Sequence, residues 1–245
     1  MIILKLFKSG LSEVKIKNFI SFGINVGDAR LAPGDDISSR DINLLIPFHF
    51  ANRTETTVFV NVNGGISFGQ QISQYTPDCS PLPAHLRMIA AFWADIDTRS
   101  YGDIFYRQTT DAIYTRKISM EIQSALPQTG GINIKWLFIV TWVNVTHYGA
   151  VDCYNRGIRR NTFQAILASD GSNSYTILYY NNISWTTGTA SGGDACSGLG
   201  GRPAKVGFDA GDGVKFFKLP ESCLPGIVNL SHEQYQFSWK MDFPS

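Results

Sequence analysis

The sequence predicts a mainly β protein, a single β-sandwich-like domain with one peripheral helix. Three observations lead there. Aromatic residues make up 13% of the chain, and Phe, Tyr and Trp fit the pleated, half-buried surface of a sheet. Short apolar runs alternate with clusters of Gly, Asn, Asp and Ser along most of the 245 residues, which is the punctuation of strands and turns. A helical period is convincing in one segment alone. All-β sandwiches often run to about 200–250 residues as single units, so this length accommodates one domain.

Residues 1–27 form an N-terminal segment with no assigned element, and the domain proper is placed at 28–243. Residues 28–41, DARLAPGDDISSRD, are polar and turn-rich and read as a loop leading into the first strand. A strand at 58–62, the turn Asn63-Gly64-Gly65 and a return strand at 66–68 make a hairpin, because Asn and Gly tolerate positive φ. Residues 76–83 hold three prolines and Cys79 and read as a rigid loop. The run 87–95 is apolar enough to be buried on both faces, and 103–107 is expected to pair with it across the turn at 98–102. The helix lies between Asp111 and Leu126: Asp111 caps it, Ile118, Ile122 and Leu126 recur at spacing four, and Pro127 stops it. Further strands are expected at 136–143, 162–168, 175–180, 205–208 and 236–243.

Charge excludes some partners. Twenty-one basic and twenty acidic side chains leave a net charge of +1, too little for the field that drives phosphate binding, so nucleic acid is not an expected partner. The longest apolar runs, 88–94 and 136–143, fall far short of the roughly 20 residues of a membrane-spanning helix. No transmembrane segment is expected in this chain.

Four cysteines, Cys79, Cys153, Cys196 and Cys223, stand at wide spacings with no C-x-x-C pair, which argues for two disulfides rather than a metal or redox site. Three pairings are open. Cys153 with Cys196 is favoured because each sits in a polar, Gly-rich loop flanking the same strand pair, which leaves Cys79 with Cys223. Four glycan acceptor sequons begin at Asn52, Asn144, Asn182 and Asn229, and their number favours secretion. The apolar start at 1–7 is interrupted by Lys5 and followed by Lys8, too short for the roughly 7–15-residue core of a signal peptide. Export is therefore expected to use an upstream segment outside this chain.

Candidate chemistry is sparse. Gly65-Ile66-Ser67-Phe68-Gly69 matches the G-x-S-x-G pattern, but a nucleophile elbow needs a strand, a turn and then a helix, whereas Ser67 sits in a hairpin return strand. His85 and His147 read as loop histidines, and the histidines at 49, 85, 147 and 232 show no zinc spacing. Asp95, Asp97 and Asp103 crowd three carboxylates around a turn, a pattern that can hold calcium, although Arg99, Arg107 and backbone amides can compensate them without metal. The Gly-rich run 188–201 lacks the Lys-Ser/Thr ending of a phosphate loop and reads as a surface loop passing close to a disulfide and a strand. No cofactor is expected.

Read in order, the blocks IAAFWADIDT at 89–98, GDIFYR at 102–107, VTW at 140–142, NTFQAILASDG at 161–171, WTTGTASGG at 185–193, GFDAGDG at 207–213 and LP at 219–220 resemble the nidogen-like domain family. The most specific match covers 89–243, and the lead-in at Pro47-Phe48 and 60–64 is similar too. The resemblance implies an extracellular, non-enzymatic module of larger secreted or membrane-tethered proteins, mediating cell–matrix adhesion through contacts with matrix or cell-surface proteins. It supplies no catalytic residues. Glycans on the four asparagines would keep parts of the surface closed to partners, and the loop at 148–160, with Tyr154, Arg156, Arg159 and Arg160, has the composition of an interface. Two other classes remain as alternatives: a secreted hydrolase using Ser67, and a calcium-dependent carbohydrate-binding module using Asp95, Asp97 and Asp103.

Overall fold

A computed structural model of the chain describes residues 19–127, 130–231 and 236–240, the last five as backbone. In chain order the strands are β1 (Ala29–Arg30), β2 (Ile42–Phe50), β3 (Arg53–Asn61), β4 (Gly65–Phe68), β5 (Arg87–Trp93), β6 (Ile96–Asp97) and β7 (Asp103–Thr109). The helix α1 (Ala112–Ala125) follows, then β8 (Trp136–His147), β9 (Asn161–Ser169), β10 (Ser174–Asn182), β11 (Lys205–Asp209), β12 (Phe216–Lys218) and β13 (Gln236–Lys240). One antiparallel sheet has the order β1-β7-β8-β9-β10-β13, with β6 also on β8, and the other runs β12-β11-β5-β4-β3-β2. The two stack face to face as a β-sandwich. The last residues of the expected strand at 236–243 lie outside the described residues.

The layer between the sheets is aromatic. Trp142 stacks on Phe163 at 4.9 Å, Phe92 meets Phe163 at 5.5 Å and Trp185 edge-on at 5.9 Å, and all four are fully buried. The first sheet is also covered on its outer face, where Ile118, Ile122 and Ala125 of α1 lie with Leu137, Ile139, Ile166 and Ile177. The outer face of the second is covered by Ile72 and Leu82, which pack with Met88, Ala90 and Trp93. Burial on both faces explains why β5 and the first part of β8 read as continuous apolar runs instead of alternating ones, and β9 is likewise buried along its whole length.

The helix follows its local code. Asp111 Oδ1 accepts a hydrogen bond from Ile113 N at 2.7 Å, and Leu126, just before Pro127, is the C-cap. Asp111→Ala is expected to lower stability by about 1 kcal/mol, the usual worth of such a cap, read as a drop of about 2–4 °C in Tm. A drop under one degree in a thermal melt would mean that α1 is held by packing alone.

The hairpin β3–β4 turns at Asn63 and Gly64. Gly64 has φ +81°, and a Cβ there would stand 2.0 Å from Phe92 O, so both conformation and space demand glycine. Gly64 O in turn accepts from both Ala91 N and Phe92 N at 3.0 Å, a bulge that sends both side chains into the inter-sheet layer.

One expected pairing is corrected. The strand at 103–107 does not pair with 87–95; β7 lies between β1 and β8 in the opposite sheet, with Asp103 facing Val143 and Thr109 facing Leu137. The reason is that β5 is flanked by β4 and β11 and offers no free edge. The chain instead crosses between sheets at Ala94 and Asp95, guided by Asn63, whose backbone O accepts from Ala94 N and whose Oδ1 accepts from Ile96 N. The loop reading of 28–41 holds three exceptions, β1 and two isolated bridges, Asp35 to Asp97 and Ser38 to Asn61. Residues 19–27 also join the domain: Ile20 is buried beside the helix cluster and exchanges two 2.9 Å hydrogen bonds with the Gln164 amide.

Candidate functional site

At the end of β8 the chain leaves the sandwich as the loop 148–160 and returns as β9. Its base is fastened at several points. Tyr148 N donates to Asp95 O at 2.9 Å, Val151 N to Ala195 O at 3.1 Å, and Cys153 is joined to Cys196 with their Cα atoms 5.4 Å apart. Gly157 N closes a turn on Asp152 Oδ1 at 2.9 Å. At the tip Tyr154 and Asn155 take φ +64° and +55°, and this left-handed turn leaves the Tyr154 ring 86% exposed. The Arg156 guanidinium lies 5.9 Å from that ring, and the Arg160 guanidinium sits 4.7 Å over Tyr101 from the neighbouring turn. A groove of about 540 Å³ runs beside the loop, bordered by Arg159, Arg160, Ser197 and the two asparagines Asn144 and Asn182.

All four sequon asparagines are exposed. Asn52 stands at the tip of the β2–β3 hairpin with φ +62°, and Asn144 at the bulge between β8 and β9 with φ +52°. Asn182 ends β10, where its amide donates to Arg160 O at 2.7 Å, and Asn229 lies in the short helical turn Pro225–Ser231. Cys79, in the loop before β5, is joined to Cys223 across 6.1 Å between Cα atoms.

Of the three carboxylates foreseen as a cluster, Asp103 stands apart, while Asp97 stays near Asp95 but is paired with an arginine. Asp103 receives Arg30 Nε at 2.6 Å on the β1–β7 edge, and Asp97 receives Arg99 Nη2 at 2.7 Å. Arg107, foreseen as their partner, reaches instead to Asp28. Asp95 alone turns inward, and it gathers with Asp35 and Asp36 from the strap before β2. Burial, then the neighbouring Asp36, Asp35 and Asp97, pushes the Asp95 carboxyl up to about 7. Asp35 and Asp36 belong to a run whose composition reads as a plain turn. The signal for the group was Asp95 itself, a carboxylate at the end of an otherwise apolar run.

The remaining candidates fall away. Ser67 lies inside β4 with no exposed surface, accepts from Asn61 Nδ2 at 3.0 Å and donates to Gln70 O at 2.7 Å, so its hydroxyl is a structural tie. His147 is not a loop histidine: it ends β8, is 1% exposed and packs on Trp185 at 5.5 Å, and burial holds its pKa below the ordinary value. In the Gly-rich run, Thr186 N and Thr187 N both donate to Gly198 O, folding the segment back on itself around Cys196.

Two disulfides, a helix-backed β-sandwich and a glycine-rich return loop are the frame on which the ordered motif blocks sit. The profile of the nidogen-like domain matches residues 56–237. The chain belongs to the nidogen-like domain family. Alpha-tectorin of Mus musculus is 44% identical over 203 residues, covering 83% of this chain and 9% of that protein. Nidogen-1 of Mus musculus is 29% identical over 228 residues, covering 89% of this chain and 16% of that protein. Dendrite extension defective protein 1 of Caenorhabditis elegans is 27% identical over 214 residues, covering 87% of this chain and 17% of that protein. No solved structure matches the chain. The nidogen-like domain therefore spans a small part of the length of its curated relatives. Nidogens and alpha-tectorin are extracellular matrix proteins, and the disulfides fit the same oxidising surroundings, which makes this an extracellular module. Among the described residues no helix is long and apolar enough to cross a membrane.

Proposed function

We propose that this nidogen-like domain is a non-enzymatic adhesion module that mediates cell–matrix adhesion by binding matrix or cell-surface proteins through the loop 148–160. The observation that carries the reading is Tyr154, 86% exposed at the tip of a disulfide-anchored loop with Arg156 beside it. A soluble domain gains nothing from holding an aromatic ring in water on a braced turn, whereas an interface gains an anchor whose ordering cost is already met in the free protein. Tyr and Arg are the residue types that most often dominate binding energy at such contacts. Glycans on Asn144 and Asn182 frame this loop on its groove side, while those on Asn52 and Asn229 cover other parts of the surface. The frame leaves the outward face of Tyr154 and Arg156 as the approach.

The test is attachment of cells to surfaces coated with the glycosylated domain. Attachment above an albumin-coated control is expected, with the Tyr154→Ala, Arg156→Ala double variant at least about tenfold weaker in half-maximal coating density, the effect of losing a central anchor. Both side chains are exposed, so the variant's Tm stays within about a degree of the parent. Equal attachment by a folded double variant would place the binding face elsewhere, and attachment no better than albumin would end the adhesive reading.

A further inference from the structure

We infer that the strap before β2 and the crossover after β5 are clamped together by one calcium ion held by the carboxylates of Asp35, Asp36 and Asp95. One oxygen from each of the three lies within 4.8 Å of the others. Calcium, which binds oxygen at about 2.3–2.6 Å in flexible geometry and bridges ligand oxygens up to about 5 Å apart, is accommodated by this spacing, whereas magnesium demands near-ideal octahedral geometry and keeps several of its waters. The set contains no sulfur or imidazole, which suits a hard cation rather than zinc or copper.

Clustered carboxylates alone are common on protein surfaces, but Asp95 is not on the surface. The residue is 2% exposed, and its Oδ2 is buried without a hydrogen-bond partner; Asp35 Oδ1 is buried in the same condition. A lone buried carboxylate is costly, and two with orphaned oxygens beside a third acid are costlier unless a cation or a proton compensates them. The nearest cation, Arg99, is already committed. It binds Asp97 through Nε and Nη2 and reaches only Asp35 Oδ2, at 3.1 Å. It leaves Asp95 and Asp36 uncompensated.

The surroundings are shaped to admit these groups. A Cβ on residue 188 would stand 2.3 Å from Asp95 Oδ2, so Gly188 makes the space in which that carboxylate sits. Asp36 is held in the left-handed region at φ +53°, and Asn63 Nδ2 fixes its Oδ1 at 2.7 Å. Asn63 is the same residue that guides the crossover through Ile96 N. Three carboxylates supply at most six oxygens, and calcium's remaining positions would be taken by water. The clamp also bears on the loop 148–160, because Asp95 O accepts from Tyr148 N and the Arg99 guanidinium lies 5.7 Å over the Tyr148 ring.

The experiment uses the full chain, stripped with chelator and titrated calorimetrically with calcium chloride and separately with magnesium chloride. One calcium per chain is expected, in the submillimolar to millimolar range of extracellular modules, with magnesium weaker. At saturating calcium, Tm should rise by about 2–4 °C or more. Asp36→Asn, at a half-buried position and close in shape, should weaken calcium by at least about tenfold, and Asp95→Asn should abolish it, while Asp212→Asn on a distant exposed turn should change nothing. The absence of calcium heat and of any Tm shift in the folded parent would overturn the clamp and assign a proton to Asp95. Undiminished binding in a folded Asp36→Asn variant would overturn it equally, even if Asp95→Asn failed to fold.

Discussion

Trp142→Ala is expected to cost about 4 kcal/mol of stability, lowering Tm by roughly 8–16 °C. Trp142 lies on β8 with no exposed surface, its ring stacked on Phe163 at 4.9 Å in the middle of the inter-sheet layer. Truncating a buried Trp to Ala removes its transfer energy and leaves a cavity that neighbouring strands cannot close, a loss of about 3–5 kcal/mol. A polar loss comes on top. The indole Nε1 crosses the sandwich to Asn61 O and Val62 O at 3.3 and 3.2 Å, at the end of β3 in the opposite sheet. Both carbonyls keep Gly64 N as a donor, at 3.3 and 2.8 Å, so the added loss is that of the indole's own hydrogen bond, about 1 kcal/mol. Trp142→Phe keeps most of the ring and loses the donor, so it should cost about half as much. Chemical denaturation checks both: the midpoint should fall in that order with an unchanged slope. Equal losses for the two variants would assign the whole effect to the indole N–H and none to packing.

That interlock was half legible in the sequence. A long apolar run at 136–143 announces a strand, and Asn63-Gly64 announces a hairpin, because each signal is local. Nothing local says that the one's indole binds the other's carbonyls some eighty residues away. The same division runs through the whole molecule. Asp111 and Pro127 mark the ends of α1 within one turn of the chain, so cap and stop could be read directly. The partner of 103–109 could not, since the choice between β5 and β8 was decided by β4 and β11 occupying both edges of β5. Strands as short as β1 and β12 carry too few residues to show a period. For the acidic group, proximity in sequence pointed to Asp97 and Asp103, yet each has its own arginine, and Asp95 found Asp35 and Asp36 some sixty residues upstream. The Asp97–Arg99 pair is local and could be read from spacing, but Arg30 with Asp103 and Asp95 with Asp35 and Asp36 meet across long stretches of chain, and neither spacing nor composition encodes those.

Removing the Cys79–Cys223 bridge by a double Cys→Ser substitution is expected to destabilise the domain by about 4–5 kcal/mol, more than removing Cys153–Cys196. The two bridges close loops separated by 144 and 43 residues along the chain. Loop-closure entropy in the unfolded chain grows with the logarithm of that length, which gives roughly 5 kcal/mol for the longer loop and roughly 4 for the shorter. The longer bridge also ties the segment after β12 to the loop before β5, where Lys205 Nζ donates to Ser80 O and Leu82 N donates to Asp209 Oδ2. Those bonds stay in the double variant and hold the native geometry, so the loss falls mainly on the unfolded side. The shorter bridge anchors the loop bearing Tyr154, and its removal should act differently: a somewhat smaller loss of global stability, with a larger loss of cell attachment as the tip becomes mobile. Denaturant midpoints and attachment curves for the two double variants separate these effects. If the shorter bridge proves the costlier one for global stability, native-state contacts of the 148–160 loop, rather than chain entropy, set the value of the disulfides here.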